Sequence, residues 1–198
     1  MMKKIVFVVS LLSLWLGSTT ISALNYGAGL YGSCQYGSCG ISISTTSPIT
    51  LNVTPDSSGR CTIAADTVSV TTSSSTGYTM QLASSTTSTQ LAGQVHGGSI
   101  STGSGTYASP SALVANRWGY RIDSEGGFGA GPTSAQTNIT IPATTFAGIT
   151  SSASPVTIVT TNAPATPSDT PVWYGVCADM TPVADTYTRA VTYTAVIN

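Results

Sequence analysis

The sequence predicts an all-β protein: an antiparallel β-sandwich of the immunoglobulin-like or Greek-key type that follows an N-terminal signal peptide. Two observations lead to this fold class. Short runs rich in β-branched residues alternate apolar and polar residues with a period of two, and no segment after the leader has a helical period. We therefore expect a signal peptide at 1–23, an extended arm at 24–40 and a single β-sandwich domain at 41–198.

The first 23 residues have the three-part layout of a secretory signal peptide. Lys3 and Lys4 precede a mostly apolar run at 5–16, and a stretch of small and polar residues then ends at Ala23, the expected cleavage site. The run is too short for a spanning helix, which needs about 20 predominantly apolar residues. We expect an exported protein, extracellular or at the cell surface, with no membrane span once the signal is removed.

The charge left after cleavage excludes several classes of partner. Both lysines lie in the leader, so the mature chain keeps four arginines against seven acidic residues, a net charge of 4 − 7 = −3. Nucleic-acid binding and attachment to an anionic membrane surface both depend on clustered Lys and Arg. Ser and Thr make up 62 of 198 residues. The regular placement of Val, Ile, Tyr and Trp among them favours a β-protein over a disordered stalk.

A short repeat follows the expected cleavage site. Residues 26–40 consist of three five-residue units that each begin with Tyr-Gly, at Tyr26, Tyr31 and Tyr36. Repeated glycine disfavours regular structure because it costs conformational entropy to fix. We interpret the segment as an extended arm whose tyrosines contact a partner. One such contact would be the sheet edge of a neighbouring subunit, which gives strand-exchange assembly.

The four cysteines predict two disulfides. An even number of cysteines in an exported chain is typical of disulfide bonding, and four cysteines allow three pairings. We favour Cys61–Cys177 as a long-range bridge and Cys34–Cys39 as a local one. A zinc site is the weaker alternative, because the sequence has no CxxC spacing and His96 is its single histidine. No metal or cofactor is expected.

The expected strands follow the alternating runs. They lie at 41–44, 49–54, 67–71, 78–82, 118–122, 139–141, 156–160, 172–178 and 187–196. Two stretches interrupt this pattern and are predicted as long loops: the Ser/Thr/Gly-rich 83–113 and the Gly-rich 123–136. The Pro-containing 162–171 is predicted as a third loop with an extended backbone. Long loops in a compact domain are usually functional or disordered.

Four stretches give the chain a family resemblance. They are the Tyr-Gly units at 26–40, Ser-Thr-Gly-Tyr-Thr at 75–79, Asn-Arg-Trp-Gly-Tyr-Arg at 116–121, and the closing segments 173–177, 186–188 and 191–195. With these motifs the chain resembles a group of uncharacterised secreted, Ser/Thr-rich surface proteins of very small host-associated bacteria. The resemblance implies a surface-exposed β-sandwich and brings no catalytic residues with it.

Candidate catalytic residues are few. Any Ser/His/Asp site would have to use His96, but this residue lies in a Gly-rich segment with no GxSxG motif to position a serine. Asp123 and Glu125 would share one side of a strand, as a carboxylate pair or calcium site requires. No further acids lie near them, so an acidic, solvated hairpin turn beside Arg121 is the better interpretation.

The large aromatic residues have two interpretations. Trp118 and Tyr120 share a strand face, and we expect at least one tryptophan to lie in the core near the Cys61–Cys177 bridge, as in immunoglobulin-like sandwiches. The alternative is an exposed strip that stacks on sugar rings. Trp173 and Tyr174, together with the arm tyrosines, are therefore the candidate ligand or partner contacts.

These observations predict a non-enzymatic secreted or cell-surface protein that acts in surface structure, attachment or self-assembly. Its expected partners are further copies of itself or a glycan or protein of a cell surface. A carbohydrate-binding module is the alternative, and a secreted hydrolase is a remote one.

Overall fold

A computed structural model describes residues 12–14, 40–46 and 48–198, and this part of the chain contains strands and no helix. The all-β prediction is confirmed. The strands, in chain order, are β1 Leu12–Leu14, β2 Ile41–Thr45, β3 Ile49–Leu51, β4 Arg60–Thr72, β5 Tyr78–Ser84, β6 Leu91–Gly93, β7 Ser99–Thr102, β8 Ser111–Ala112, β9 Arg117–Arg121, β10 Gln136–Thr140, β11 Thr145–Phe146, β12 Val156–Thr160, β13 Ala165–Ala178, β14 Tyr187–Thr188 and β15 Val191–Ile197.

Two sheets form the body of the molecule. The larger has the strand order β10-β4-β13-β9-β7-β6-β14, with β2 pairing beside β10 on β4, and the smaller has the order β12-β5-β15. Antiparallel pairing joins these strands except for β7 and β9, which are parallel. The long β4–β13 ladder, in which Ala178 faces Arg60 and Ala165 faces Thr72, is the centre of the larger sheet.

The main core lies between the two sheets. Period-two alternation directs Val68 and Val70 of β4 and Tyr174 of β13 towards Met80 and Leu82 of β5, and all five side chains are fully buried. The hydroxyls of Tyr174 and Tyr193 share a hydrogen bond of 2.6 Å across this space. Two antiparallel sheets that bury a shared face make the predicted β-sandwich.

The opposite face of the β4–β13 ladder carries a second, smaller cluster. Cys61, Ile63, Trp173 and Cys177 project to this side, and Leu113 and Phe146 cover them. Cys61 and Cys177 face each other in the register and form a disulfide, with 4.1 Å between their Cα atoms. The predicted pairing is confirmed, but the bridge joins neighbouring strands of one sheet. In immunoglobulin domains it joins two sheets, so the immunoglobulin-like detail does not extend to the disulfide.

Two of the three predicted loops contain strands, although the extended backbone expected at 162–171 is observed from Ala165 onward. The stretch 83–113 contains β6, β7 and β8, and residues 165–171 extend β13 at its N-terminal end. Proline is tolerated there because, among the described residues, this half of β13 pairs with β4 alone; the pairing of β13 with β9 covers only Trp173 to Cys177. The third loop, 123–136, is observed as predicted up to the start of β10.

The part of the chain that the structure describes has no helix with the length and apolar character to span a membrane.

Candidate functional site

An apolar cleft opens at the end of the sandwich where β3, β7 and β13 meet. Its walls come from three segments that are far apart in sequence, and the lining residues are Leu51, Val53, Pro55, Ile100, Val176, Ala178, Asp179, Pro182, Asp185 and Tyr187. The volume that the centre of a water molecule can reach is about 20 Å³. Pockets for small molecules have about 300–1,000 Å³. The cleft is therefore a shallow groove and not a substrate cavity.

Exposed aliphatic side chains lie in the two loops that flank this cleft. Met180 and Val183 belong to the segment that supplies Asp179, Pro182 and Asp185, and their exposed fractions are 65% and 53%. Val95 is 76% exposed, and its amide donates a hydrogen bond to Asp185. Single exposed aliphatic residues are ordinary, but several around an apolar groove are typical of an interaction surface. We call Val95, Met180 and Val183 the rim.

Asp185 fixes both loops in place. Its carboxylate accepts hydrogen bonds from the backbone amides of His96 and Thr186, both at 2.7 Å, and of Val95 at 3.1 Å. Desolvation opposes the charged form, but the hydrogen bonds from these amides outweigh it, so the pKa of Asp185 lies below its ordinary value. This acid is engaged by the backbone around it, which is a structural role.

Asp179 is engaged in the same way on the other side of the cleft. The Asn116 side-chain amide donates to its carboxylate at 2.9 Å, and the Thr181 amide donates to the same oxygen at 2.7 Å. These hydrogen bonds, that of Asn116 first, lower the pKa of Asp179. Both acids of the cleft thus hold loops, and neither is arranged as a proton donor for chemistry.

The structure does not assemble the residues considered for catalysis. His96 is exposed in the loop between β6 and β7, and it is its backbone amide that meets Asp185. Asp123 pairs with Arg121 at 2.8 Å, and the Glu125 amide bonds to the Ile122 carbonyl in a turn. Asp123 and Glu125 thus lie in a turn beside Arg121, but the turn is not the predicted hairpin because β9 and β10 do not pair with each other. Among the described residues no group of three His, Cys, Asp or Glu is close enough to hold a metal ion.

The aromatic residues do not form a surface platform. Trp118, Tyr120, Trp173 and Tyr174 are all buried, with Trp173 the most accessible at 8%. Trp173 packs beside Cys61 and Cys177, as expected for a core tryptophan near the bridge. Trp173 and Tyr174 are thus unavailable as the contact surface that the alternative interpretation required. Throughout residues 48–198, aromatic side chains are buried or half-buried.

No family model, no curated protein and no solved structure matches this chain. The resemblance to secreted surface proteins of small bacteria therefore stays a prediction. Five of the candidate residues lie outside the described ranges: Tyr26, Tyr31, Tyr36, Cys34 and Cys39.

One edge beside the cleft has an unexpected partner. β3 pairs antiparallel with β1, with Leu12 opposite Leu51 and Leu14 opposite Ile49. The backbone of β1 also approaches β14, whose Tyr187 forms part of the cleft wall. A segment predicted to belong to the leader thus lies beside two strands of the cleft wall.

Sequence reasoning missed both the cleft and a buried acid. Asp66 is completely buried on the inner face of β4, where its carboxylate accepts hydrogen bonds from the Thr46 amide at 3.1 Å and hydroxyl at 2.7 Å. Asp66 lies two residues before Val68 in an alternating run, so a strand places both side chains on the same face. This spacing was the sequence signal for a buried acid. The cleft left no comparable signal, because its walls come together only in the folded chain.

Proposed function

We propose that this chain is a non-enzymatic, exported β-sandwich protein that assembles with further copies of itself at the cell surface. The observation that carries the proposal is the apolar cleft with its exposed rim of Val95, Met180 and Val183. An exposed apolar surface gains free energy when a partner covers it. The Cys61–Cys177 disulfide supports a location outside the cytoplasm, where such bonds persist.

Two observations favour assembly over the alternatives. The cleft is far too small for a substrate, and its two acids accept hydrogen bonds from surrounding amide groups. A sugar-binding platform would need exposed aromatic rings, and those of residues 48–198 are buried or half-buried. The acidic mature chain offers little attraction to nucleic acid.

Self-assembly is testable on the mature chain, residues 24–198. Size-exclusion chromatography with light scattering should show a mass that rises with protein concentration. The variant Met180→Asp/Val183→Asp should be monomeric under the same conditions, because a charge buried at an interface without a partner is strongly unfavourable. Val196→Asp is the matched control, since Val196 is 54% exposed and lies on β15 of the smaller sheet. A wild-type protein that stays monomeric at every concentration would refute the proposal.

A further inference from the structure

The edge of β3 has a single ladder partner. Among the described residues, Ile49–Leu51 pairs with Leu12–Leu14 and with no other strand. With the leader strand in place, Ile49 and Leu51 are 6% and 3% exposed, whereas Thr50 between them is exposed. β3 is therefore a strand whose apolar residues face the core and whose backbone depends on the leader for pairing.

Removal of the leader would take this partner away. Leu12–Leu14 lies within residues 1–23, upstream of the expected cleavage site at Ala23. The N–H and C=O groups along β3 would then have no ladder, next to an apolar cleft. Unpaired backbone groups in such surroundings are costly, and an open strand edge is a template for another strand.

The new N-terminus carries a segment with the same pattern as the leader strand. Leu24-Asn25-Tyr26 follows the cleavage site and repeats the apolar–polar–apolar order of Leu12-Ser13-Leu14. A strand in the same register would place Leu24 opposite Leu51, Asn25 opposite Thr50 and Tyr26 opposite Ile49. Residues 27–40 then connect it to β2, a length of chain that spans up to about 48 Å when extended.

We propose that the leader strand Leu12–Leu14 pairs with β3 only until the leader is cleaved, and that in the mature protein Leu24–Tyr26 of a second copy pairs with β3 instead. Strand addition of this kind gains backbone hydrogen bonds along the edge and side-chain contacts at alternate positions. The rim favours a second molecule over the chain's own arm. The three residues Leu24–Tyr26 are enough to cover the edge of β3. The exposed rim residues Val95, Met180 and Val183 are covered only if the folded domain of another molecule packs against them.

This inference rests on the proposed function and specifies which segment donates the strand and which edge accepts it. Each mature copy would carry one donor, the segment Leu24–Tyr26, and one acceptor, the edge of β3. Such head-to-tail contacts extend into chains unless the geometry closes a ring. The full-length precursor would not assemble, because Leu12–Leu14 occupies its acceptor.

Two proline variants of residues 24–198 separate donor from acceptor. Thr50→Pro removes the backbone N–H at the centre of β3 and disfavours strand pairing there, with Thr50→Val as the matched control that keeps the N–H. Asn25→Pro disables the donor, with Asn25→Ala as its control. Each proline variant alone should self-associate at least about tenfold more weakly than its control.

Mixing the two proline variants is the decisive measurement. Asn25→Pro keeps an intact acceptor and Thr50→Pro keeps an intact donor, so the mixture should form one-to-one heterodimers that light scattering detects. If the mixture stays monomeric, the arm binds its own chain and the inference is wrong. If circular dichroism shows that Thr50→Pro does not fold, the comparison of Asn25→Pro with Asn25→Ala decides. Self-association of Asn25→Pro that is as strong as that of Asn25→Ala overturns the inference.

The two proposals fail in different ways. A wild-type protein that assembles, together with proline variants that assemble equally well, leaves the proposed function standing and removes β3 as the acceptor. A wild-type protein that is monomeric at every concentration removes both.

Discussion

The two faces of the β4–β13 ladder are buried by different means. The inner face packs against a second sheet, and alternation places large apolar residues such as Val68, Val70 and Tyr174 there. The outer face contributes four residues to the smaller cluster, and loop segments and the short strands β8 and β11 cover it. A sheet partner buries a face mainly through side-chain volume. A face covered by loops depends instead on a disulfide and on glycines that allow close approach.

The close approach is visible at a pair of glycines in the sheet. Gly119 of β9 and Gly175 of β13 face each other in the register, and the Phe146 side chain packs against the backbone of both glycines. A Cβ at Gly175 would lie 2.8 Å from two atoms of the Phe146 ring. Glycine within a strand often marks such a site, so Trp-Gly-Tyr at 118–120 and Tyr-Gly-Val at 174–176 were informative signals.

The largest expected effect comes from removing the disulfide of the outer face. Cys61 and Cys177 are 116 residues apart, and for a loop of this length the chain-entropy model gives about 4–5 kcal/mol. The variant Cys61→Ala/Cys177→Ala should lose about that much free energy of unfolding, as measured by urea denaturation. A loss below about 1 kcal/mol would mean that the outer face holds together without its bridge.

A smaller loss is expected from filling the glycine site. Gly175→Ala should lower the free energy of unfolding by about 2 kcal/mol, because the Phe146 ring and Leu113 must move to admit the methyl group. Gly129→Ala is the matched control: a Cβ there meets nothing within 4 Å, and a change within about 0.5 kcal/mol is expected. Equal losses in the two variants would contradict the close packing of Phe146.

The inner face was the more predictable of the two. Alternation located β4, β5, β12 and β15 because each has one face on the core. The strands at 83–113 were missed because β6 and β7 are short and each has a single buried apolar residue, Leu91 or Ile100. Their pairing is set by tertiary neighbours, including the parallel contact of β7 with β9. The cleft depends on those same contacts, which explains why no local pattern indicated it.

The smallest expected effect concerns the tyrosine pair of the inner face. Tyr174→Phe leaves the buried Tyr193 hydroxyl without its partner and should cost about 1 kcal/mol near neutral pH. Burial raises the pKa of Tyr174. Burial is also the largest cause of the raised pKa of Tyr193, and the neighbouring Tyr174 is the second cause. A tyrosine in the unfolded chain titrates near pH 10. The folded chain therefore holds these protons more tightly. The stability that they contribute is complete below about pH 10 and falls as the pH rises beyond it.

Urea unfolding at two pH values tests this contribution. Between pH 9 and pH 11 the wild type should lose more stability than Tyr174→Phe/Tyr193→Phe, by up to about 1.4 kcal/mol per tyrosine and pH unit above 10. Tyr107, half-buried beside Phe128, gives the control variant Tyr107→Phe, which keeps the pair and should retain most of the wild-type dependence. If the free energy of unfolding of the double variant decreases with pH as steeply as that of the wild type, the tyrosine pair does not cause the loss of stability at alkaline pH. The sensitivity would then arise in the other tyrosines whose pKa burial raises, among them Tyr120 and Tyr187.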